Sequence, residues 1–333
     1  MSIYQPPFVI TPLILNQVIE IGELMGNWAA MAGRASPLLR KENRIRTIQA
    51  SLAIEHNSLT TEQVTALMEG KRILAPAKDI QEVRNAILAY EKMSEWKSER
   101  LSDLLQAHQI LMMGLVDNPG QLRSGNVGVY REKQLIHMAP PASQVLRLMN
   151  DLLGWLKTTE LHPLIAGAIF HYEFEFIHPF ADGNGRMGRL WQTLILREWR
   201  SELAWLPVET LIHYQQDRYY QVLGQCDRQS SCTPFIEFIL ENIISALQEG
   251  LGKSSALSEE MSEEMSEEMS PDLLDIEKRI LQILSNQPGR SAKSISDECE
   301  ISARTVERYL KALQLKGKLQ RVGATKGGLW RVI

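Results

Sequence analysis

Twelve consecutive residues, His178–Arg189, combine a candidate base, a candidate metal ligand, a turn-forming segment and two cations in the order HPFADGNGRMGR. The imidazole of His178 has an ordinary pKa close to neutral pH, so it can accept a proton from a hydroxyl group. Asp182 offers a hard carboxylate oxygen of the kind that Mg²⁺ prefers when it binds beside phosphate groups. The run therefore predicts chemistry on a substrate that contains phosphate.

The middle of this run, Gly183–Gly185, consists of residue types that tolerate positive φ, so their backbone N–H groups can converge on one anion. A helix that starts here adds unpaired N–H groups and the positive end of its dipole. Arg186 and Arg189 lie three residues apart on that helix and can clamp phosphate oxygens. A lone histidine is more often a core residue, and a Gly-Asn-Gly sequence is more often only a turn. All these groups in one run favour a phosphate-binding loop.

Helices are expected around this loop. Leu164–Phe176 is almost continuously apolar and too long for a strand, which predicts a buried central helix. Apolar residues at three- and four-residue spacing predict helices over Leu101–Leu115 and Val145–Leu156, and Asn118–Gly120 marks a turn after the first of them. The body that positions the site is therefore predicted to be mainly α-helical.

Two short segments, Asn126–Tyr130 and Gln134–Met138, depart from the helical pattern because they favour β-structure. Pro140 and Pro141 follow them directly, so the pattern predicts a lone β-hairpin in a helical body. An isolated hairpin has little stability of its own. It must therefore pack against the helices or act as a movable flap.

The run that starts at His178 resembles the signature of the Fic family, His-Pro-Phe-x-Asp/Glu-Gly-Asn-Gly-Arg-x-x-Arg, and matches it at every specified position. The resemblance implies a mostly helical core that transfers AMP from ATP to a Ser, Thr or Tyr hydroxyl of a target protein or of the enzyme itself, with Mg²⁺ as cofactor. By this likeness His178 is the general base, Asp182 holds Mg²⁺ and Arg189 meets the γ-phosphate. The segment that the resemblance assigns to ATP binding comprises Asp182, Gly183, Asn184, Gly185, Arg186, Met187, Gly188 and Arg189.

The resemblance covers roughly residues 40–250 and adds two further expectations about the nucleotide. Family members that phosphorylate tend to have lysine at the position of Gly185, so this glycine favours nucleotidyl transfer. Tyr219 and Tyr220 resemble the family's segment beside the adenine pocket and could line the base. Ordinary core aromatics are an equal alternative for these two tyrosines.

The predicted hairpin falls where the Fic family has its flap. The resemblance implies that Val127, Gly128 and Val129 border the ATP site and hold a segment of the target protein by strand addition, close to His178. A hairpin with only a structural role is the alternative.

An inhibitory segment is suggested by Ser51 and Glu55, which resemble the motif Ser/Thr-x-x-x-Glu-Gly/Asn of Fic proteins that carry their own restraint. A glutamate brought from a helix end to Arg189 would form a charge-assisted pair and occupy the place of the γ-phosphate. His56 departs from the motif and Asn57 follows one position late, so the helix is expected to end differently here. An ordinary solvated glutamate is the alternative.

The C-terminal part has a different composition from the rest. Residues 258–269 repeat SEEM three times, and the segment 254–270 carries six glutamates and no basic residue, which indicates a solvated linker or a short exposed helix. Pro271–Ile333 has 12 Lys or Arg against 7 Asp or Glu, a net charge of +5. Its helix-turn-helix pattern and two final β segments resemble a winged-helix domain.

A winged helix could bind DNA or dock another protein, and both alternatives stay open. In the first case Arg304 and Arg308 would enter a major groove, and Arg321 or Lys326 would contact a phosphate. The predicted organisation is 1–100 for an N-terminal helical region with the inhibitory motif at 51–57, 101–253 for the Fic core, 254–270 for the linker and 271–333 for the winged helix. The predicted fold class is therefore mainly α, with one hairpin flap and a winged helix-turn-helix domain.

The whole chain of 333 residues has a formal charge of -4 and 44% hydrophobic residues, which excludes wholesale disorder and gives no overall basic excess. Its three cysteines, Cys226, Cys232 and Cys299, form no CxxC pair, which argues against a disulfide framework or a structural zinc site. The sequence shows no signal peptide or membrane span, so a cytoplasmic protein without membrane contact is expected.

Three alternative functions remain open: a nucleotide-sensing transcriptional regulator that does not turn over, a transferase of another phosphate-linked group such as UMP, and an enzyme that removes AMP. The oligomeric state is equally undecided, and a homodimer is one of the alternatives.

Overall fold

The computed structural model describes residues 4–32, 37–131, 134–268, 271–299, 301–315, 317–322 and 329–332. They divide into two compact units, Met1–Ser254 and Ser255–Ile333. The mainly helical class, the hairpin and the C-terminal winged helix are confirmed. Within the described ranges, no helix combines the length and the apolar character that crossing a bilayer requires.

The first unit is a helical body with one hairpin. Residues 1–100 and 101–253, which the sequence separates, share one hydrophobic core that runs from Ile14 to Leu247. The helices are α1 Pro12–Ala32, α2 Pro37–Ile54, α3 Thr61–Met68, α4 Ala77–Lys92, α5 Leu101–Leu111, α6 Ala142–Thr158, α7 Pro163–Ile177, α8 Asn184–Trp199, α9 Val208–Tyr214, α10 Gln216–Gln229 and the part of α11 Thr233–Glu268 that precedes Ser255.

The centre of this unit is the pair α7 and α8. Twelve of the fifteen residues of α7 are buried, in agreement with the continuous apolar run. The helix begins with Pro163 at its first turn and is capped by the side chain of His162, which accepts a hydrogen bond from Leu164 N. Gly188 of α8 lies so close to α7 that a Cβ there would come within 2.9 Å of His171 Cδ2. A glycine at this position therefore allows the two helices to touch.

The hairpin consists of β1 Gly128–Arg131 and β2 Gln134–Met138, which are antiparallel. Gly128 pairs with Met138, and the register shifts between Val129 and Tyr130. The first strand thus starts two residues later than predicted. The side chains of residues 129–137, including Val129, lie outside the described part.

Helix α5 ends at Leu111, four residues earlier than the apolar spacing predicts. The cause is local backbone geometry, because Gly114 adopts a φ of 72° that no helix can continue through. The turn at Asn118–Gly120 is present, and Gly120 has a φ of 82°. Leu115 is therefore part of the loop that leads to the hairpin.

The acidic segment 254–268 is helical, because α11 continues through it to Glu268. The sequence favours a solvated linker here and leaves an exposed helix as the alternative. The structure has the helix. Pro271 starts the next helix, as its missing N–H group allows at a first turn.

The second unit has the order of elements of a winged helix. It contains α12 Pro271–Asn286, α13 Ala292–Cys299, α14 Ala303–Leu315, β3 Leu319–Val322 and β4 Leu329–Val332. Buried apolar residues of the three helices, such as Leu284, Ile295 and Val306, form its own core. The side chains of Arg304 and Arg308, and the whole of Lys326, lie outside the described part.

Helix α2 ends with an unusual residue. His56 adopts a φ of 67°, and Asn57 N donates to Leu52 O at 3.1 Å across the last turn. Glycine usually occupies this left-handed position, because a Cβ is unfavourable there. The helix therefore ends in the left-handed shape that glycine usually provides, with a histidine in its place, and the different ending expected from the sequence is not found.

Replacing the exposed His56 with glycine is expected to stabilise the first unit by about 1 kcal/mol, because the left-handed strain is removed. Thermal unfolding of the full chain should show this as a rise in Tm of roughly 2–4 °C. His56→Ala keeps the strain and serves as the control. A lower Tm for His56→Gly than for His56→Ala would contradict the interpretation.

Candidate active site

His178 stands at the junction between α7 and the following loop. It adopts a φ of 50°, and its backbone N donates to Phe174 O at 2.9 Å, which ends α7. This left-handed conformation turns the chain sharply. The half-buried His178 lines a cleft that also contains Glu55, Gly185 and Arg189.

The loop after His178 is closed by one buried side chain. Asn184 Oδ1 accepts a hydrogen bond from Phe180 N, and Asn184 Nδ2 donates to Phe180 O, both at 2.9 Å. Gly183 opens α8 with a φ of 83°, and a Cβ there would lie 2.6 Å from Met112 Sδ. Position 183 therefore requires glycine for its conformation and for space.

The first turn of α8 has no side-chain cap. Gly183 is the capping residue and has no side chain to bond the N–H groups of the first turn. These groups and the positive end of the helix dipole point out of the helix start. The geometry fits the phosphate-binding loop that the sequence predicts.

Arg189 is deeply buried and is held by the inhibitory segment. Its Nη2 donates to Glu55 Oε1 at 2.7 Å and to Ser51 O at 2.9 Å, and its Nε donates to Ser51 Oγ at 3.1 Å. Burial acts to lower the pKa of Arg189, but the carboxylate of Glu55 outweighs it and raises the pKa. The structure thus brings Ser51, Glu55 and Arg189 into one charge-assisted cluster.

Gly185 makes room for this cluster. A Cβ at position 185 would overlap Glu55 Oε1 and would lie 3.1 Å from Arg189 Nη1. Any side chain at this position would therefore displace the carboxylate of Glu55. The glycine that the sequence associates with nucleotidyl transfer also permits the contact with Glu55.

Arg186 does not line this cleft but forms ion pairs with two carboxylates. It is 5% exposed, and it binds Glu82 Oε1 and Asp182 Oδ1 at 3.1 Å each. The other oxygen of Glu82 accepts a hydrogen bond from Asn57 Nδ2 at 2.8 Å. The guanidinium predicted to cradle phosphates is thus part of a buried network that connects Asp182 to the chain after Glu55.

Replacing Glu82 with alanine is expected to destabilise the first unit by about 3–5 kcal/mol, because the buried Arg186 loses its buried carboxylate partner. Urea unfolding of the full chain measures the change. The exposed pair of Glu241 and Arg218 offers a matched control, and Glu241→Ala should cost far less. Equal losses for the two variants would show that Arg186 does not depend on Glu82.

Tyr219 and Tyr220 lie in the same cleft as His178 and Arg189. Tyr219 OH is 3.1 Å from His171 Nε2, and burial lowers the pKa of His171 to about 3, so this imidazole is neutral. Tyr220 is half-buried and meets Tyr219 edge to face. The two rings therefore form an aromatic wall of the cleft, and Leu223 continues it.

Among the residues of α8 predicted to bind ATP, Gly185 and Arg189 line the cleft. Met187 is fully buried in the hydrophobic core, and Gly188 faces Glu175 and His171 of α7. Helical periodicity turns these two positions away from the cleft, and a contact of either with ATP stays a prediction.

A second cleft lies on the hairpin side of the loop. Val127 and Asp182 line it, together with Arg123 and His108. Gly128 begins β1 directly after Val127. The structure therefore places Val127 near Asp182 rather than in the cleft with Arg189.

Asp182 is the residue to which the sequence assigns Mg²⁺. Its side chain is 57% exposed, and its Oδ1 accepts hydrogen bonds from Gly183 N and Arg186 Nη2. The part of the chain that the structure describes has no group of three His, Cys, Asp or Glu that could hold a metal ion alone. One exposed carboxylate fits Mg²⁺ that is bound mainly by substrate phosphates and water.

Sequence reasoning missed the support behind Asp182. His108 Nδ1 accepts a hydrogen bond from Gly120 N at 2.8 Å, so its Nε2 carries the proton and donates to Asp182 O at 3.0 Å. The ring also stacks on Phe180, and burial lowers its pKa to about 4. Its place on the apolar face of the Leu104–Leu111 stripe is a signal that could have found it.

Comparisons with known proteins agree with this geometry. The Fic/DOC family model matches residues 98–196, and the winged helix-turn-helix DNA-binding model matches residues 273–320. Protein adenylyltransferase Fic of Nematostella vectensis is 29% identical over 214 residues, which is 60% of this chain and 47% of that protein. The corresponding protein of Drosophila erecta is 30% identical over 216 residues, 61% of this chain and 41% of that protein. The chain thus spans less than half of the length of these two relatives.

A solved structure matches more completely. The crystal structure of a Fic family protein from Desulfovibrio desulfuricans G20 has 46% sequence identity and a TM-score of 0.75. The match covers 99% of this chain and 98% of that chain. The match therefore includes both the helical body and the winged helix. The chain therefore belongs to the Fic/DOC family.

Proposed function

We propose that the protein is an adenylyltransferase that moves AMP from ATP to a Ser, Thr or Tyr hydroxyl of a target protein or of itself. The observation that carries the proposal is the cleft in which His178, Gly185 and Arg189 meet beside the uncapped first turn of α8. An imidazole base next to an anion site and a buried cation suits transfer of a phosphate-linked group. The names of the two adenylyltransferase relatives support the same reaction.

In the proposed reaction, His178 accepts the proton of the target hydroxyl. The hydroxyl oxygen forms a bond to the α-phosphorus of ATP, the bond from that phosphorus to the β-phosphate oxygen breaks, and pyrophosphate leaves. The N–H groups at the start of α8 stabilise charge on the phosphate oxygens. Mg²⁺ supplies charge neutralisation of the phosphates when it is bound, and Asp182 is the residue that would hold it.

The rest of the nucleotide is assigned to the aromatic end of the cleft. Tyr219, Tyr220 and Leu223 give an apolar, ring-lined surface on which a purine can pack. Arg189, with its charge in the same cleft, is the residue proposed to contact the terminal phosphate.

The resting state is proposed to be inhibited by Glu55. Its carboxylate already occupies Arg189 at 2.7 Å, so a terminal phosphate must displace it before it can bind there. Ser51 holds the same guanidinium through its hydroxyl and its carbonyl oxygen. ATP that cannot reach Arg189 is expected to bind in an unproductive position.

Removal of AMP is a second candidate activity, and the place of Glu55 in the cleft of His178 favours it. There the carboxylate could orient a water molecule toward an AMP group on a modified target. Loss of AMP from purified modified target tests this idea. Wild type should remove AMP faster than Glu55→Gly, and equal rates would reject it.

The proposed transfer is tested by intact-mass measurement of the Glu55→Gly protein after incubation with Mg²⁺ and ATP, UTP or GTP in parallel. A gain of one adenylate with ATP is the expected result. A gain of phosphate alone, or of UMP in preference to AMP, would assign another transfer to this fold. No gain with any nucleotide, in the presence of candidate target proteins as well, would favour a nucleotide sensor.

A further inference from the structure

Arg123 lies between the loop after α5 and the hairpin and is 6% exposed. Its guanidinium donates to four backbone carbonyl oxygens: Nε to His178 O at 2.7 Å, Nη1 to Gly125 O at 2.8 Å, and Nη2 to Pro140 O at 2.5 Å and Ile177 O at 3.3 Å. Its own backbone N donates to Pro179 O at 2.9 Å. The residue thus bonds to both sides of His178.

The carbonyl oxygens belong to two separate elements. Gly125 precedes β1 and Pro140 follows β2, so these two residues mark the two ends of the hairpin. Ile177 and His178 form the end of α7. Arg123 therefore ties the base of the hairpin to the backbone of His178 through one rigid planar group.

The surroundings of Arg123 indicate positioning rather than charge pairing. Within the described ranges, no carboxylate lies at ion-pair distance from its guanidinium, and each of its four hydrogen bonds ends on a backbone carbonyl. A planar guanidinium with five donors can hold several carbonyl groups at fixed relative positions. The ammonium group of lysine is a compact charge on a flexible side chain, so it cannot fix several carbonyl groups in this way.

We propose that Arg123 is a positioning residue that sets the distance between the hairpin and the imidazole of His178. The proposal rests on the proposed function, in which His178 takes the proton of the target hydroxyl, and on the role that the Fic resemblance implies for the hairpin, which is to hold the target segment. The left-handed backbone of His178 is a conformation that needs support from its surroundings. If the His178 carbonyl loses its partner, the imidazole and the target hydroxyl no longer have a fixed separation.

The experiment compares Arg123→Met and Arg123→Lys in the Glu55→Gly background. Calorimetry gives the affinity and stoichiometry for Mg·ATP, and labelled AMP gives kcat. A displacement of about 1 Å at a reaction centre can cost about 100-fold in rate. We therefore expect kcat to fall about 100-fold in Arg123→Met, with ATP affinity within about threefold and about one site per chain.

Arg123→Lys keeps the buried positive charge but not the planar guanidinium. Its kcat is therefore expected to remain at least about tenfold below that of the parent. If Arg123→Met binds less than one ATP per chain, part of that protein is misfolded, and the kcat of Arg123→Lys then decides the outcome. Arg147→Met is the matched control, because Arg147 is an exposed arginine of α6 whose bonds to Gln144 and Asp151 stay on the surface. A kcat within about threefold of the parent in both Arg123 variants overturns the proposal, and so does an equal fall of kcat and ATP affinity.

Hydrogen exchange separates this proposal from the proposed function. In Arg123→Met, peptides that cover 124–131 and 174–180 should exchange faster together, whether or not the parent transfers AMP. If they do and the parent is inactive with every nucleotide, the proposed function fails while the link through Arg123 stands. Unchanged exchange in either segment rejects the link.

Discussion

Replacing His178 with alanine is expected to lower the rate of AMP transfer about 10²- to 10⁴-fold, the usual contribution of a positioned general base. The imidazole lines the cleft with Gly185 and Arg189, and the turn at the end of α7 holds it there. ATP should still bind, because the first turn of α8 and Arg189 do not depend on this side chain. Incorporation of labelled AMP in the Glu55→Gly background measures the loss.

A second histidine provides the control for that loss. His213 lies at the end of α9 and is not part of the cleft lining, so His213→Ala should keep the parental rate. Labelled AMP in His178→Ala at more than about a tenth of the parental rate would contradict the role of His178 as the base.

Replacing Glu55 with glycine is expected to raise AMP transfer about 10- to 100-fold. A hydrogen bond to a charged group contributes about 1.5–3 kcal/mol, and about 1.4 kcal/mol corresponds to a factor of ten. The variant removes the carboxylate that lies 2.7 Å from Arg189 Nη2 and leaves the guanidinium to the terminal phosphate. Labelled AMP incorporation by wild type and variant, at equal protein concentration, measures the gain.

Glu69→Gly is the matched control for Glu55→Gly. Like Glu55, Glu69 directly follows a helix and pairs with basic side chains. Its partners, Lys41 and Lys71, lie on the surface. This variant should leave the rate of transfer unchanged. Glu55→Gln keeps a hydrogen-bond acceptor without the charge and should fall between wild type and Glu55→Gly. A flat or lower rate in Glu55→Gly would reject the inhibition by Glu55.

Elements whose conformation is set by residues close together in the sequence could be predicted. The apolar run of α7 and the residue types of Gly183–Gly185 specify a buried helix, a turn and a helix start within a few residues. The winged helix follows in the same way from the spacing of apolar residues in α12–α14. Local chemistry is sufficient for each of these elements.

The partners of the charged side chains could not be predicted, because they come from distant parts of the chain. Arg186 and Glu82 are 104 positions apart, and the sequence alone does not show that the two side chains meet. The hydrogen bonds from Arg123 to Ile177 and His178 likewise cross 54 and 55 positions. A motif gives positions without their helical faces, so it does not show that Met187 is buried in the core while Gly185 and Arg189 line the cleft.

The end of α5 and the acidic segment 254–268 show that a local pattern can also be insufficient to predict secondary structure. Apolar spacing continues through Leu115, yet one glycine with positive φ, Gly114, stops the regular structure earlier. In residues 254–268 the repeated glutamates are compatible with solvent and with an exposed helix, and composition does not separate the two.

We propose that Glu55 and the terminal phosphate of ATP compete for Arg189. Calorimetric titration of wild type and Glu55→Gly with Mg·ATP and with Mg·ADP detects this competition, because ADP lacks the phosphate that would reach the arginine. We expect Glu55→Gly to gain at least about tenfold more affinity for ATP than for ADP, the factor that about 1.4 kcal/mol provides. Equal gains for the two nucleotides, or no gain for ATP, would contradict it.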